Sequence, residues 1–452
     1  EGLMRRGALN ASQIGRLMMR RVSPVSVAVL AVASLLTLAG PGGALSPVRG
    51  GSAPDMPKPR GLPSPAGRGA AESRLVTTPD GAVLMSWLEP RLAVARSAPA
   101  AGTGKSGHAA GAGHALRLAS LRAARWSPVL TVAEGDSFFV NWADFPAVCA
   151  FGEHGLAVAW LWKSGAETYD YQTRVAISAD GGGVWTEPII IHDDRDGTEH
   201  GFVSLLPQGV GVRAVWLDGH NFTAKIEEGM ADMTVHSRFI SPTGTLGREQ
   251  ELDDRACDCC QTAAVAVGAD ILVAYRDRNS EEIRDISLVR LDGGKWSKPA
   301  PLHQDGWHIP GCPVNGPALA AVGERVAIAW YTAAADSPRV YAAFSENGGR
   351  KFGNPIRVDE GKPLGRVGVA VLADGSAAVS WMEEDGKQAR VRARFVREGA
   401  RPGAAATVAR IPGARASGVP QMVRDGERLV FSWTEPGKPG RLKLAAVKLP
   451  RN

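Results

Sequence analysis

Seven aromatic residues that recur about every fifty residues constrain the fold of this chain more than any other feature. Each closes a short apolar run that follows a glycine-containing turn, as in Val326-Ala327-Ile328-Ala329-Trp330. The seven are Trp87, Trp160, Trp216, Tyr275, Trp330, Trp381 and Trp433. Their spacings are 73, 56, 59, 55, 51 and 52 residues, the first being lengthened by an insert at residues 95–115. Short β-rich runs at this period, without helical periodicity, are typical of a β-propeller built from four-stranded blades.

We therefore predict an all-β fold, a single propeller of seven four-stranded blades over residues 73–452. The length of 452 residues alone favours two or three domains, but the repeat overrides that expectation. The last repeat offers only three strands, so its outer strand is expected from the segment before Arg74. Without that closure, six blades and an extra hairpin are the alternative.

Residues 1–45 are interpreted as upstream residues followed by a secretory signal at about residues 18–44. Arg20 and Arg21 precede an apolar run from Val25 to Leu38, and Gly40-Pro41-Gly42-Gly43-Ala44 follows it. The run is short for a membrane span. We expect a periplasmic or secreted protein with no membrane span after signal removal, and a mobile Pro/Gly-rich linker at residues 46–72.

The net charge of +6 comes from basic residues scattered along the chain, with no run of five or more. This distribution argues against a nucleic-acid partner. We expect a monomer.

Two loops carry the pattern Ser-x-Asp-x-Gly-x-x-Trp or a close variant of it, and Asp292-Gly293-Gly294-Lys295-Trp296 is a shortened third copy. The motif residues are Ser178, Asp180, Gly182, Trp185, Ser345, Asn347, Gly349 and Phe352. On these motifs the chain resembles the sialidase (neuraminidase) superfamily of Asp-box (BNR) propellers, over about 380 residues. The Asp or Asn caps a tight turn in which glycines take positive φ, so we expect a structural role for these loops.

The resemblance implies a ligand site at the opposite mouth, formed by loops that enter first strands and loops that leave second strands. Sialidases place there three arginines that clamp a carboxylate, a tyrosine nucleophile assisted by a glutamate, and an aspartate as acid/base catalyst. The catalytic candidates in this chain are Tyr275, Asp277 and Glu282, and the candidates for substrate binding are Arg276, Arg278, Arg284 and Trp307. An arginine fork suits a carboxylate, and a tyrosine beside an acid could act as a nucleophile.

A structural interpretation stays open for the same residues. Tyr275 occupies the position that the other repeats give to a packing tryptophan, and Arg276 with Asp277 could form an ion pair between blades. The Arg-Ile-Pro of sialidases occurs only at residues 410–412, before the seventh repeat. The first arginine and the acid/base aspartate therefore have no counterpart, and full sialidase activity is not expected.

Four of the five cysteines are clustered in sequence, at Cys257, Cys259, Cys260 and Cys312. Aligning the fourth and fifth repeats on their turn glycines places Cys257 on Cys312, where both enter first strands of adjacent blades. We predict that Cys312 lies close to one of the other three, with His308 in the same loop. A disulfide in an oxidising compartment and a copper or zinc site are both open, because Cys-x-Cys-Cys is not a standard zinc spacing.

Two more histidines are expected on this rim. His200 enters the third repeat and His220 leaves its second strand. The remaining cysteine, Cys149, is expected to be a small buried core residue.

Three functions remain open at this point. The first is a propeller that binds or acts on an acidic glycan or small anion, and it would be a sialidase-like exo-glycoside hydrolase if it is an enzyme. The second is a periplasmic propeller that binds copper or zinc, and the third is a protein-binding scaffold.

Overall fold

The structure, a computed structural model, describes residues 51–91, 113–194, 197–221, 232–413 and 415–450. These residues form thirty β-strands and two short 3-10 turns, Ala334–Asp336 and Arg415–Ser417. The predicted secretory signal at residues 18–44 and most of the insert at 95–115 lie outside the described residues. Within the described residues, no helix has the length and apolar character needed to cross a membrane.

The strands form seven antiparallel sheets, each of which is one blade. Strand β1 (Arg60–Leu62) precedes blade I. Blade I contains β2 (Ala71–Thr77), β3 (Val83–Pro90), β4 (His114–Arg122), β5 (Arg125–Trp126) and β6 (Leu130–Gly135). Blade II contains β7 (Ala147–Phe151), β8 (Gly155–Lys163), β9 (Tyr171–Ser178) and β10 (Ile189–Ile190). Blade III contains β11 (His200–Gln208), β12 (Gly211–Asp218), β13 (Met233–Ile240) and β14 (Gln250–Ala256).

The remaining four blades follow the same order of strands. Blade IV contains β15 (Ala263–Val267), β16 (Asp270–Arg276), β17 (Ile286–Asp292), β18 (Lys295–Trp296) and β19 (Ala300–Pro301). Blade V contains β20 (Ala318–Val322), β21 (Arg325–Thr332), β22 (Arg339–Ser345) and β23 (Ile356–Arg357). Blade VI contains β24 (Pro363–Val371), β25 (Ala377–Asp385), β26 (Gln388–Val396) and β27 (Ala406–Pro412). Blade VII contains β28 (Gln421–Asp425), β29 (Arg428–Glu435) and β30 (Arg441–Lys448).

The first strands of the blades form a closed inner ring. Each contacts the first strand of the next blade, from β2 through β7, β11, β15, β20 and β24 to β28, and β28 returns to β2. Strand β1 pairs with β30, with Arg60 opposite Ala446, and supplies the fourth strand of blade VII. The seven-bladed propeller is confirmed, and the alternative of six blades is wrong.

The segment at residues 51–72 is packed on the propeller. Ala53 and Met56 are buried against blades VI and VII, and the Ala53 N–H donates to Arg401 O at 2.8 Å. The expectation of a mobile linker is therefore wrong for these residues. The sequence composition does not reveal that two apolar side chains and strand β1 have partners more than three hundred residues away.

All seven repeated aromatics lie on second strands, as predicted. In three blades the indole N–H donates to an acid two residues further along the strand. Trp87 donates to Glu89 at 3.0 Å, Trp216 to Asp218 at 2.7 Å and Trp381 to Glu383 at 3.2 Å. Alternate residues share one face of a strand, so the buried indole finds an acceptor on its own strand.

The two Asp-box loops connect third to fourth strands and have the same hydrogen-bond pattern. Ser178 Oγ lies 2.7 Å from Asp180 Oδ1, which accepts a main-chain N–H at 2.9 Å. Asn347 Oδ1 likewise accepts a main-chain N–H at 2.9 Å. The turns require positive φ, which is +96° at Gly182 and +79° at Gly349. Loops that leave second strands lie at the opposite end of the propeller.

Candidate functional site

The loops that enter first strands and the loops that leave second strands meet at one end of the propeller, which we call the mouth. Cys257, Cys259 and Cys260 lie between β14 and β15, and Cys312 lies between β19 and β20. These two loops enter the adjacent blades IV and V. The Arg276–Ile286 connection leaves the second strand of blade IV beside them.

The four thiols lie close together at the mouth. Cys257 Sγ lies 3.5 Å from Cys260 Sγ and 3.8 Å from Cys259 Sγ. Cys259 Sγ, Cys312 Sγ and the Asp258 carboxylate all lie within 4.8 Å of one another. None of the five cysteines is in a disulfide. Cys259 is therefore the residue of the Cys257–Cys260 segment that lies next to Cys312.

Arg284 supplies positive charge to this thiol cluster. Its Nη1 donates to Cys257 Sγ at 3.2 Å and to Asp258 Oδ1 at 3.4 Å. Hydrogen bonds from Cys259 and Cys260, together with the charge of Arg284, hold the pKa of the Cys257 thiol well below its usual range. Cys257 is therefore favoured as a thiolate, the form in which cysteine binds metals.

Arg276, a predicted substrate-binding residue, is only 1% exposed. Its guanidinium donates to the main-chain carbonyls of Asn315 at 2.8 Å, Arg284 at 2.5 Å and Tyr331 at 2.7 Å. It also lies over the ring of buried Trp307, 4.8 Å from the centroid. These contacts connect blade IV to blade V. They also use Nε, Nη1 and Nη2 of Arg276, the donors that would bind a ligand.

Tyr275, the predicted nucleophile, is fully buried on β16. Its hydroxyl donates to the Asp253 carboxylate, and burial raises the pKa of Tyr275 well above its usual range. Asp277, the neighbouring candidate, accepts a hydrogen bond from Ser287 Oγ at 2.6 Å. Catalysis by these residues stays a prediction, and their packing does not favour it.

Glu282 lies between the other two predicted substrate-binding arginines. It accepts from Arg278 Nη2 at 2.7 Å and from Arg284 Nη2 at 2.8 Å. The hydrogen bond from Arg278 holds the pKa of Glu282 below its usual value. Both guanidinium groups are thus already paired with a carboxylate.

His308, predicted to join the cysteines, is exposed, and its main chain bridges to Ile283. Among the described residues, the groups of ligand atoms around the thiols do not include His308. The proximity of His308 to the thiol cluster therefore stays a prediction.

The seven first strands enclose an axial cavity of ≈ 740 Å³, and Arg74 and Arg366 are among its lining residues. Arg74 Nη1 donates to Gln421 Oε1 at 3.0 Å, and Arg366 Nη1 donates to Gly418 O at 2.6 Å. Burial lowers the pKa of both arginines to about 10. Both hydrogen-bond partners are neutral, and Arg366 also interacts electrostatically with the carboxyl group of Glu72.

No protein-family model matches the chain, and no curated protein matches it significantly. Similar solved structures include a protein of unknown function from Dyadobacter fermentans DSM 18053, with 15% identity, 87% of this chain and 99% of that chain covered, and a TM-score of 0.49. The intramolecular trans-sialidase from Ruminococcus gnavus is 9% identical, with coverages of 84% and 94% and a TM-score of 0.45. The GH93 α-L-arabinofuranosidase of Fusarium graminearum is 13% identical, with coverages of 88% and 98% and a TM-score of 0.44. At these identities the likeness concerns the fold alone.

The chain has a seven-bladed β-propeller fold. Within this propeller, the Arg-Ile-Pro at residues 410–412 lies on β27, the fourth strand of blade VI. Arg410 Nε donates to Asp385 at 3.1 Å. The motif thus lies on the outermost strand of its blade and not on an inner strand of the propeller.

Two further groups of potential ligands lie at the mouth end of blades II and III of the propeller. One consists of His192, Asp194 and His200, and the other of Asp218, His220 and His236. Sequence analysis placed His200 and His220 on the rim but missed the other four. The sequence offers one signal for these residues, an acid two residues after the repeated tryptophan. This acid, Asp218, ends β12 and lies opposite His200 in the hairpin.

Proposed function

We propose that this sialidase-like propeller binds a soft metal ion, Cu(I) or Zn²⁺, through the thiol cluster Cys257, Cys259, Cys260 and Cys312. The observation that carries the proposal is the spacing of the sulfur atoms. Thiolates at about 2.3 Å from a tetrahedral metal lie about 3.8 Å apart. The separations of 3.5 Å and 3.8 Å from Cys257 Sγ fit this geometry.

The chemistry of the ligands narrows the choice of metal. Thiolates select Cu(I) and zinc over hard cations such as magnesium and calcium. Cys312 is exposed whereas Cys257 and Cys260 are buried, so an ion has a path from solvent to the inner ligands. We further propose that the protein acts as an exported monomer, supported by the signal-like sequence at residues 18–44.

The full chain, reduced and purified without oxygen, is expected to bind one equivalent of Cu(I) in competition with a chromophoric chelator. Cys312→Ser should lower the affinity at least about tenfold, since even residues that only support ligands contribute 10–100-fold. Cys149→Ser is the matched control, because Cys149 is a buried thiol on β7 outside the cluster. Equal affinities for the wild type and Cys312→Ser, or no copper uptake by the reduced protein, would contradict the proposal.

A second candidate function is the binding of an acidic glycan or small organic anion in the axial cavity. It is favoured by Arg74 and Arg366, which are half-buried, line the cavity and have neutral hydrogen-bond partners. Charge-assisted hydrogen bonds to a carboxylate are strong where water is excluded. The candidate is independent of the thiol cluster.

We expect N-acetylneuraminic acid to bind the wild type, and Arg366→Ala to weaken this binding about tenfold or more, as measured by calorimetry. Arg410→Ala, a change of an exposed arginine on β27, is the control. Release of 4-methylumbelliferone from its sialoside should stay at background, because the Tyr275 hydroxyl is buried. Rapid release by the wild type would restore the sialidase interpretation.

A further inference from the structure

Blade III presents a set of imidazole and carboxylate groups that is chemically distinct from the thiol cluster. His200 begins β11 and Asp218 ends β12, directly opposite it. His200 Nε2 lies 3.2 Å from Asp194 Oδ2 and 3.5 Å from Asp218 Oδ1. His220 Nδ1 lies 2.8 Å from the same Asp218 oxygen. These distances link two carboxylates and two imidazoles in a continuous chain, Asp194–His200–Asp218–His220.

The hydrogen bonds behind His200 orient its ring toward this point. His200 Nδ1 lies 3.0 Å from Thr198 O, a carbonyl that can only accept, so Nδ1 carries the proton. In a neutral ring Nε2 then holds the lone pair, and it is fully buried with no aligned hydrogen bond among the described residues. A histidine ligand commonly donates its second ring N–H to a carbonyl or carboxylate in this way.

Asp218 is the centre of the group and is only 1% exposed. Its Oδ2 accepts from Trp216 Nε1 at 2.7 Å, while Oδ1 faces His200 and His220. A buried carboxylate is stable only when a positive charge or strong donors compensate it. A lone pair on His200 Nε2 would repel the two carboxylates unless a proton or a metal cation lies between them.

We propose that His200, Asp218, His220 and Asp194 form a second metal site, for a divalent cation of intermediate hardness such as Zn²⁺. Nitrogen and oxygen ligands lie about 2.0–2.2 Å from zinc, which places them about 3.0–3.6 Å from one another. The separations of 3.2 and 3.5 Å from His200 Nε2 fall in this range, whereas the 2.8 Å between His220 Nδ1 and Asp218 Oδ1 is a hydrogen-bond distance that a bound ion would lengthen. Imidazole and carboxylate favour Zn²⁺ or Cu²⁺ over Cu(I), so the two sites of this chain differ in preference.

Access to the second site is from the solvent side. The His220 side chain is 34% exposed, whereas His200 and Asp218 are buried beneath it. His236 lies behind the site, with its ring centroid 5.3 Å from that of His220 and its Nδ1 2.7 Å from Glu249 Oε1. An ion would thus enter past His220 and bind against the inner ligands.

The test uses the full chain with Cys257, Cys259, Cys260 and Cys312 all changed to serine, so that the thiol cluster contributes nothing. One equivalent of Zn²⁺ should bind in competition with a chromophoric chelator. Adding His220→Ala should lower the affinity at least about tenfold, and adding His154→Ala, at an exposed histidine on the β7–β8 turn, should not. A folded protein that binds no Zn²⁺, or that binds equally with and without His220, would overturn the proposal.

A second measurement covers the case in which the serine variant does not fold. Wild-type protein loaded with Cu²⁺ should show imidazole nitrogen couplings in pulsed electron paramagnetic resonance, and His220→Ala should reduce them. Couplings that are absent, or unchanged by His220→Ala, would show that the group is only a hydrogen-bonded ion-pair network. Failure of the thiol proposal leaves both measurements unaffected.

Discussion

Arg276→Ala is expected to destabilise the propeller by more than about 3 kcal/mol, or to prevent it from folding. The guanidinium satisfies three main-chain carbonyls, two of them in blade V, and lies over the Trp307 ring. Each buried carbonyl left without its donor costs about 1–3 kcal/mol. Because a typical domain is stable by only about 5–15 kcal/mol, losing three donors at one junction has a large effect.

The measurement is guanidinium chloride unfolding followed by circular dichroism, with Arg278→Ala as the control. Arg278 is a partly exposed arginine of the same loop, ion-paired with Glu282 and Asp232, so its removal should change stability by no more than about 1 kcal/mol. Arg276→Lys should also destabilise, because an ammonium group does not reproduce the planar fork. A folded Arg276→Ala protein of unchanged stability that has lost anion binding would instead support a ligand-binding role.

The blades were predictable from the sequence because the information that specifies them is local. Each repeat contains its own turn glycine, its alternating strand residues and its second-strand aromatic. Even the hydrogen-bond acceptor of the indole can be local, as Asp218 is two residues after Trp216. Closure by Arg60–Leu62 was also predictable, since a three-stranded last repeat leaves an open edge. The packing of residues 51–72 on the propeller was not predictable, because Ala53 and Met56 contact residues far along the chain.

The roles of charged residues at the mouth depend on contacts that sequence does not show. Arg276 follows a strand in the position expected of a ligand-binding arginine, yet its partners Asn315 and Tyr331 are 39 and 55 residues away. The thiol cluster was partly predictable because aligning two repeats makes Cys257 and Cys312 neighbours. The position of His308 beside the thiols stays a prediction, since among the described residues the ligand groups around the thiols do not include it.

Glu72 is expected to make the protein less stable as the pH rises from about 5 to about 8. Burial, reinforced by the negative charge of Asp144 and opposed by Arg366, raises the pKa of Glu72 from 4.5 to about 8. The folded state therefore holds this proton more tightly than the unfolded chain does. Stability is highest while both states are protonated, and it is lost as the pH rises through the interval between the two pKa values. The loss is on the order of 3 kcal/mol.

Glu72→Gln tests this directly, because glutamine has nearly the shape of the protonated acid and cannot ionise. Glu72 Oε2 is buried without a hydrogen-bond partner among the described residues, so the change should remove little and should flatten the dependence of the unfolding free energy on pH. The variant should exceed the wild type in stability at pH 8 and match it near pH 5. Glu153→Gln, at a carboxylate with 89% of its side chain exposed, should leave the pH profile unchanged. A Glu72→Gln profile as steep as that of the wild type would assign the pH dependence to other groups, of which Asp144 is the first candidate, since burial raises its pKa to about 7.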